Sequence, residues 1–305
     1  MKRETFDKTR RLMTLGLVSA GVLSPAAAAA QFRLDLNKIV DLVKVLEGLS
    51  IDEEDEIQMG EGLYGSLINT SGGPYRNSAV QSAVARIAQP IFETSERPAF
   101  AWDIVVLDNN EVNAWSLPGG KVAVNKGLLR YAASEDELSA VLSHEMGHAE
   151  LSHVKREMKK KAFYKGFSSA ATTAVAEAVD NNKVDTALGA LQGPMYQLVT
   201  SGYSKDSEDE ADVHIVDVFN KTGRDVAYGV GFFNTLLELV PSKSKRTTSL
   251  FSGHPETKKR ISHILEAAPA AGTGAPTTPT QDFADLKTVF PTRQVYMRQP
   301  VADDD

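Results

Sequence analysis

Apolar residues recur at helical spacing over 33–49, where Leu34, Leu36, Ile39, Val40, Leu42, Val43, Leu46 and Leu49 form a stripe, the pattern of a helix with one buried face. Ser50, with Glu53 three residues on, carries the capping signature of a second helix. The acidic run 52–56 suits that helix's positive end, and Ser71-Gly72-Gly73-Pro74 stops it. Val80, Val84, Ile87 and Ile91 place a third helix over 77–93. The period then changes. Residues 101–107 (AWDIVVL) read as a strand and Asp108-Asn109-Asn110 as its turn; 112–117 (VNAWSL) and 121–124 (KVAV) read as two more strands, joined tightly through Pro118-Gly119-Gly120. Ser134 and Glu137 repeat the capping signature and open a helix anchored by Leu138, Val141 and Leu142. Residues 162–178, rich in Ala, Ser and Thr, read as a close-packed helix rather than one dipping into a membrane. Long helical stretches follow over about 195–220 and 225–239, and a last helix holds 261–267. The polar, basic segment 241–252 between them reads as a mobile loop. The whole pattern predicts an α+β protein, mainly α-helical, with a small β-sheet beside the helix that opens at Ser134.

Composition changes the picture at both ends. Lys2, Arg3, Lys8, Arg10 and Arg11 precede an apolar run from Leu12 to Leu23, and Ala28-Ala29-Ala30 precedes Gln31. This is the layout of a cleavable secretory leader over 1–30, and its apolar run is too short to be a spanning anchor. The stretch around Arg10-Arg11 fits the twin-arginine route as well as the general secretory one, so the expected location is the bacterial periplasm. From Ala268 onward the chain turns to Pro, Thr, Gly and Ala, so 267–305 is expected to be a low-complexity, disordered tail. Of 33 basic and 40 acidic residues the leader takes five and two, leaving a net charge of −10. That balance argues against nucleic acid or an anionic membrane surface as partner. The chain has no cysteine, which excludes disulfides, thiol catalysis, a Cys-containing zinc site and a lipidated N-terminal cysteine.

The chemistry concentrates at His144-Glu145-Met146-Gly147-His148, an H-E-x-x-H motif on the helix that begins at Ser134. Residues four apart on a helix differ by about 40° around its axis, so His144 and His148 project side by side and can grip one ion. Glu145 sits about 100° from His144, able to approach a water on that ion as general base. Two neutral imidazoles, an open position and a carboxylate base are what zinc hydrolysis requires. A third protein ligand is then needed. His153, nine residues from His144, falls half a turn out of phase on the same helix and reads as a surface or packing residue. A metzincin is rejected, because Leu151 and Val154 occupy the positions of its Gly and His. His263 has no motif around it. The better source is Ser207-Glu208-Asp209-Glu210-Ala211-Asp212, where Glu208 and Asp212 share a helix face that His214 leaves. One of these carboxylates can bind the ion while the other accepts the second ring N–H of a liganding histidine.

Together these motifs resemble the gluzincin family that includes the CAAX prenyl proteases and HtpX, family forty-eight of the metallopeptidases. The resemblance rests on H-E-x-x-H at 144–148 and E-x-x-A-D at 208–212. Two further segments add to it: Asn113-Ala114 with Pro118-Gly119-Gly120, and Gly253-His254-Pro255 with Arg260-Ile261. It covers roughly residues 50–266 and implies a zinc metallopeptidase domain there, preceded by a separate N-terminal helix over 31–49. It also implies one Zn2+ per chain on His144, His148 and Glu208, with Asp212 orienting a histidine. The mature chain lacks the spanning helices of the family's membrane members and resembles its soluble periplasmic branch, without a tetratricopeptide region.

The resulting expectation is an endopeptidase that cleaves unfolded or misfolded envelope proteins, with Glu145 as base. Its substrate would be bound along Asn113, Ala114, Trp115, Pro118 and Gly119 by strand addition at an exposed edge. His254 either blocks the metal at rest, the favoured version, or assists the oxyanion. The rival from another class is a zinc-stabilised chaperone or assembly factor, which would have no need of Glu145; a zinc hydrolase of small molecules is disfavoured by the P-G-G segment.

Overall fold

Helix α1 (Glu53–Thr70) begins at Asp52, whose side chain accepts from Asp55 N while the Asp55 side chain accepts from Asp52 N. The cap therefore lies two residues beyond the expected Ser50. Both positions carry a good N-cap residue with an acid three residues on, and local pattern alone does not choose between them. The computed structural model describes residues 52–158, 196–199, 202–239, 257–268 and 271–293. The expectations for the leader, the helix over 31–49, the segment 162–178, the loop 241–252 and His254 lie outside the described residues.

Asn77 caps α2 (Ser78–Phe92), which buries Val80, Val84, Ile87 and Ile91 as its periodicity requires. Strand β1 (Asp103–Leu107), strand β2 (Ala114–Leu117) and strand β3 (Lys121–Asn125) follow, both outer strands starting two residues later than expected. They form one sheet in the order β1-β3-β2, with β1 parallel and β2 antiparallel to β3. Among the described residues β2 is an edge strand. A short α3 (Lys126–Leu129) leads to α4 (Glu135–Glu150), which carries the H-E-x-x-H motif.

Helix α4 is the axis of the molecule. Every residue from Glu135 to Ala149 is buried, so it has no solvent face and little amphipathic pattern, as a helix surrounded by protein should. Its neighbours are α2, β2, α6 (Lys205–Thr222), α7 (Val226–Gly229) and α8 (Gly231–Leu239). The stretch expected as one helix over 195–220 is broken at Gly202 (φ 96°), and Gly223 (φ 70°) ends α6 as a left-handed cap. The helix expected over 225–239 is two pieces, with Asp225 capping the first. After α4 the chain turns at Ser152 (φ 55°) and starts a new helix, α5 (His153–Met158). Helix α9 (Thr257–Ala267) packs on α6 and α8.

The expected disordered tail is corrected over 271–293. Thr280 caps α10 (Gln281–Val289), which lies on α2 and places Phe283, Leu286 and Phe290 in the same apolar core as Val84, Val106 and Leu142. Three large apolar residues at helical spacing outweigh the Pro- and Thr-rich composition around them. The segment leading into α10 straps the start of α4. Thr277 N donates to Asp136 Oδ2 (2.8 Å), and Thr280 N and Oγ1 donate to Glu135 Oε2 (2.7 Å each). The other oxygens of these two buried acids take Arg224 (2.9 and 2.7 Å). No helix among the described residues is long and apolar enough to cross a membrane.

Candidate metal centre

One turn of α4 and one turn of α6 build the centre. His144 and His148, four apart, bring their Nε2 atoms to 3.0 Å. Glu208 on α6 places Oε2 3.5 Å from His144 Nε2 and Oε1 3.5 Å from His148 Nε2. One donor atom from each residue lies within 4.8 Å of the others, and all three side chains are buried. Gly147 permits the approach of the two helices: a Cβ there would lie 3.0 Å from His214 Cβ and 3.2 Å from Ala211 Cα. The donor chemistry fits a divalent cation, with two imidazole nitrogens and a carboxylate oxygen converging where water is excluded.

What holds the rings is equally specific. Asp212 Oδ1 is 3.1 Å from His144 Nδ1, so that nitrogen carries the hydrogen and Nε2 faces the centre. Arg260 on α9, buried, grips Asp212 through Nε–Oδ2 (2.8 Å) and Nη2–Oδ1 (2.7 Å), and its Nη2 lies 3.3 Å from the His144 ring nitrogens. Burial alone would raise the Asp212 carboxyl, but Arg260 and His144 outweigh it and hold it below the usual range. Burial and Arg260 push His144 down, yet Asp212 and Glu208 win and raise it to about 9.

On the other side, Tyr203 stacks flat on His148, ring centroids 4.0 Å apart and planes 17° apart. His153 is fully buried, with Nδ1 2.8 Å from His148 Nδ1. Of the two readings of His153, surface or packing, the structure bears out packing; the continuous helix is corrected, because the left-handed turn at Ser152 swings the ring back under His148. Burial, only partly countered by Glu210, pushes the His153 ring down to about 4. His214 contacts Ser143 O (3.1 Å) and Glu150 Oε2 (3.0 Å) and stands outside the donor cluster, as its position off the Glu208 face implied.

Glu145 is buried and accepts from Ser116 Oγ on β2 at 3.3 Å. Strand alternation separates the residues expected to bind substrate. Ser116 and Ala114 share the face toward α4, while Trp115 points the other way and meets Tyr64 of α1 edge-on at 6.3 Å. Asn113 lies just before the strand, its carbonyl accepting from Asn125 N at 3.0 Å. Pro118 and Gly119 lie under α1: a Cβ on Gly60 would fall 1.8 Å from Pro118 O, and one on Gly119 2.8 Å from Ile57 Cα. The P-G-G turn thus fits closely beneath a helix. Arg260, Tyr203 and His153 escaped the sequence reading as parts of the centre. Arg260 alone carried a signal, its place in the segment that follows His254.

A mainly helical protein in which two histidines of an H-E-x-x-H helix meet a glutamate from a second helix in one buried cluster has the fold of a gluzincin-like metallopeptidase. The model of Peptidase family M48 matches residues 74–268, and the chain belongs to that family. It is 35% identical over 160 residues to Metalloprotease YcaL of Escherichia coli (strain K12), covering 52% of this chain and 58% of that protein. It is 31% identical over 162 residues to Metalloprotease LoiP of the same organism, covering 53% and 61%. It is 23% identical over 283 residues to the Beta-barrel assembly-enhancing protease of Yersinia pestis, covering 90% and 55%. In each case the match spans less than two thirds of the relative's own length.

Proposed function

We propose that the chain is a zinc endopeptidase that cleaves unfolded or misfolded polypeptides of the cell envelope, acting in the periplasm. The observation that carries this is the convergence of His144, His148 and Glu208 donor atoms within 4.8 Å beside the buried Glu145. The relatives named beta-barrel assembly-enhancing protease support an envelope substrate.

His144 Nε2, His148 Nε2 and a Glu208 oxygen would hold the ion, which when bound supplies a Lewis acid and lowers the pKa of water to about 7. Glu145, steadied by Ser116 Oγ, accepts the proton of the attacking water on a carboxylate oxygen and passes it to the leaving amine. Asp212 keeps the His144 hydrogen on Nδ1, which would leave the Nε2 lone pair for the ion. The four residues of β2 are buried rather than exposed. Among the described residues only β3 pairs with the strand, so its other side would offer backbone N–H and C=O groups to an extended substrate, and Ser116 links that strand to the base. Such pairing reads backbone more than side chains and suits unfolded chains. His254 belongs to the same segment as Arg260, whose contact with His144 supports a role for that segment at the centre, blocking the ion at rest or assisting the oxyanion.

The test is metal analysis of the purified protein with digestion of an unfolded protein before and after chelation. The protein should carry one zinc. Glu145→Gln should keep the metal and lose proteolysis by at least about a hundredfold, and Glu208→Ala should lose the metal. Digestion by Glu145→Gln at the parent rate would remove the assigned base. Zinc retained by Glu208→Ala but lost by Glu210→Ala would move the third ligand.

A further inference from the structure

The two histidines of the centre are held by different devices. His144 Nδ1 meets a carboxylate directly, at Asp212. His148 Nδ1 meets another imidazole, His153 Nδ1, at 2.8 Å, and the far nitrogen of that ring, Nε2, lies 3.2 Å from Glu210 Oε2. Arg156 pins Glu210 in place through both of its Nη atoms. The line runs from the buried ligand to a side chain that is 44% exposed.

Counting hydrogens along this line leaves one arrangement. A carboxylate only accepts, so His153 Nε2 carries the hydrogen it donates to Glu210. A neutral His153 ring then has a lone pair on Nδ1 and accepts there. His148 must supply that hydrogen from its own Nδ1, which leaves its Nε2 with a lone pair.

We propose that Glu210, through His153, fixes the metal-binding tautomer of His148, so that His153 and Glu210 are positioning residues of the metal centre. The proposal rests on the metal reading above and assigns a part to two residues that hold no ion themselves. Glu210, two residues from Glu208, is thereby a determinant of the site without being a ligand. The direction of the line can be inverted. A donor in place of Glu210 would make His153 Nε2 an acceptor, send its hydrogen to Nδ1, and leave His148 protonated on Nε2, the nitrogen the ion needs.

The experiment titrates Co2+ into metal-free parent protein, His153→Phe, His153→Gln, Glu210→Ala and Glu210→Lys, following visible absorption, with zinc competition for affinity. Nitrogen-15 NMR of the imidazoles reports the tautomer of His148 in each metal-free protein. His153→Phe and Glu210→Lys should weaken binding about 10- to 100-fold, the usual cost of losing an outer partner of a metal-ligating histidine. His153→Gln, which keeps an acceptor, should recover part of the loss, and Glu210→Ala should cost less than Glu210→Lys. His148 should carry its hydrogen on Nδ1 in the parent and on Nε2 in Glu210→Lys. Should His153→Phe not fold, the partly exposed position 210 still decides the matter. Parent-like affinity together with an unchanged His148 tautomer in Glu210→Lys overturns the proposal while leaving the metal reading intact. A parent protein that takes no cobalt overturns both.

Discussion

His144 lies buried between two carboxylates, Asp212 and Glu208, with the Arg260 guanidinium against it. Its pKa of about 9 means that the metal-free ring is charged at neutral pH, whereas a ligand must be neutral. The sign follows directly. A proton held up to about pH 9 competes with the ion below that pH and vanishes as a competitor above it. Metal affinity should climb about tenfold per pH unit between about 7 and 9 and flatten beyond, with roughly one proton released per ion near pH 7. Calorimetry in buffers of different ionisation enthalpy measures this release. An affinity constant between pH 7 and 9 would contradict it. At this scale the His144-His148-Glu208 cluster was legible in the sequence because H-E-x-x-H and E-x-x-A-D encode their own geometry on single helical turns. The second layer was not. Arg260 reaches the centre from α9, and His153 from a turn that needs a left-handed serine, a conformation no residue pattern announces.

Between elements, the contact of α4 with α6 decides whether Glu208 arrives. Gly147 faces Ala211, one turn from Glu208, at a distance that leaves no room for a methyl group. Gly147→Ala should force α6 outward by a few tenths of an ångström. Despite the better helix propensity of Ala, it should cost about 1–3 kcal/mol of stability, as overpacking does, and should weaken metal binding with it. Gly65→Ala, on an exposed face with nothing within 4 Å, is the control and should be neutral or slightly stabilising. Denaturant unfolding of the two variants checks this. Equal stability of Gly147→Ala and the parent would show that α6 has slack. The helices α1, α2 and α4 were legible because caps and apolar spacing agree within each. The break at Val230 was not, since apolar residues continue across it and only tertiary packing interrupts the helix, whereas the break at Gly202 carried a local signal in the polar Ser201-Gly202 pair. Helix α10 was masked by its company, three apolar anchors in a stretch composed like a linker.

Across the whole molecule, the strap from 271 to 293 joins the start of α4 to the core on the far side of α2. It lies beyond the region matched to the family, 74–268. Its hydrogen bonds land on Glu135 and Asp136, buried acids whose remaining oxygens hold Arg224. Removing residues 271–305 should therefore expose the face of α2 that α10 covers, leave those acids half-satisfied, and lower the melting temperature by several degrees. Thermal unfolding of the shortened chain measures it; an unchanged midpoint would show the strap to be dispensable.

The strap also orders events in time. Glu135 and Thr280 are 145 residues apart, and Asp136 and Thr277 are 141 apart. Closing so long a loop costs little more at equilibrium than closing a shorter one, about 0.6 kcal/mol per doubling, but distant pairings form slowly. A chain made from its N-terminus produces the H-E-x-x-H helix well before the residues that finish its first turn exist. The first turn of the helix that carries Glu145 therefore gains its last hydrogen bonds only after Thr277 and Thr280 have been made.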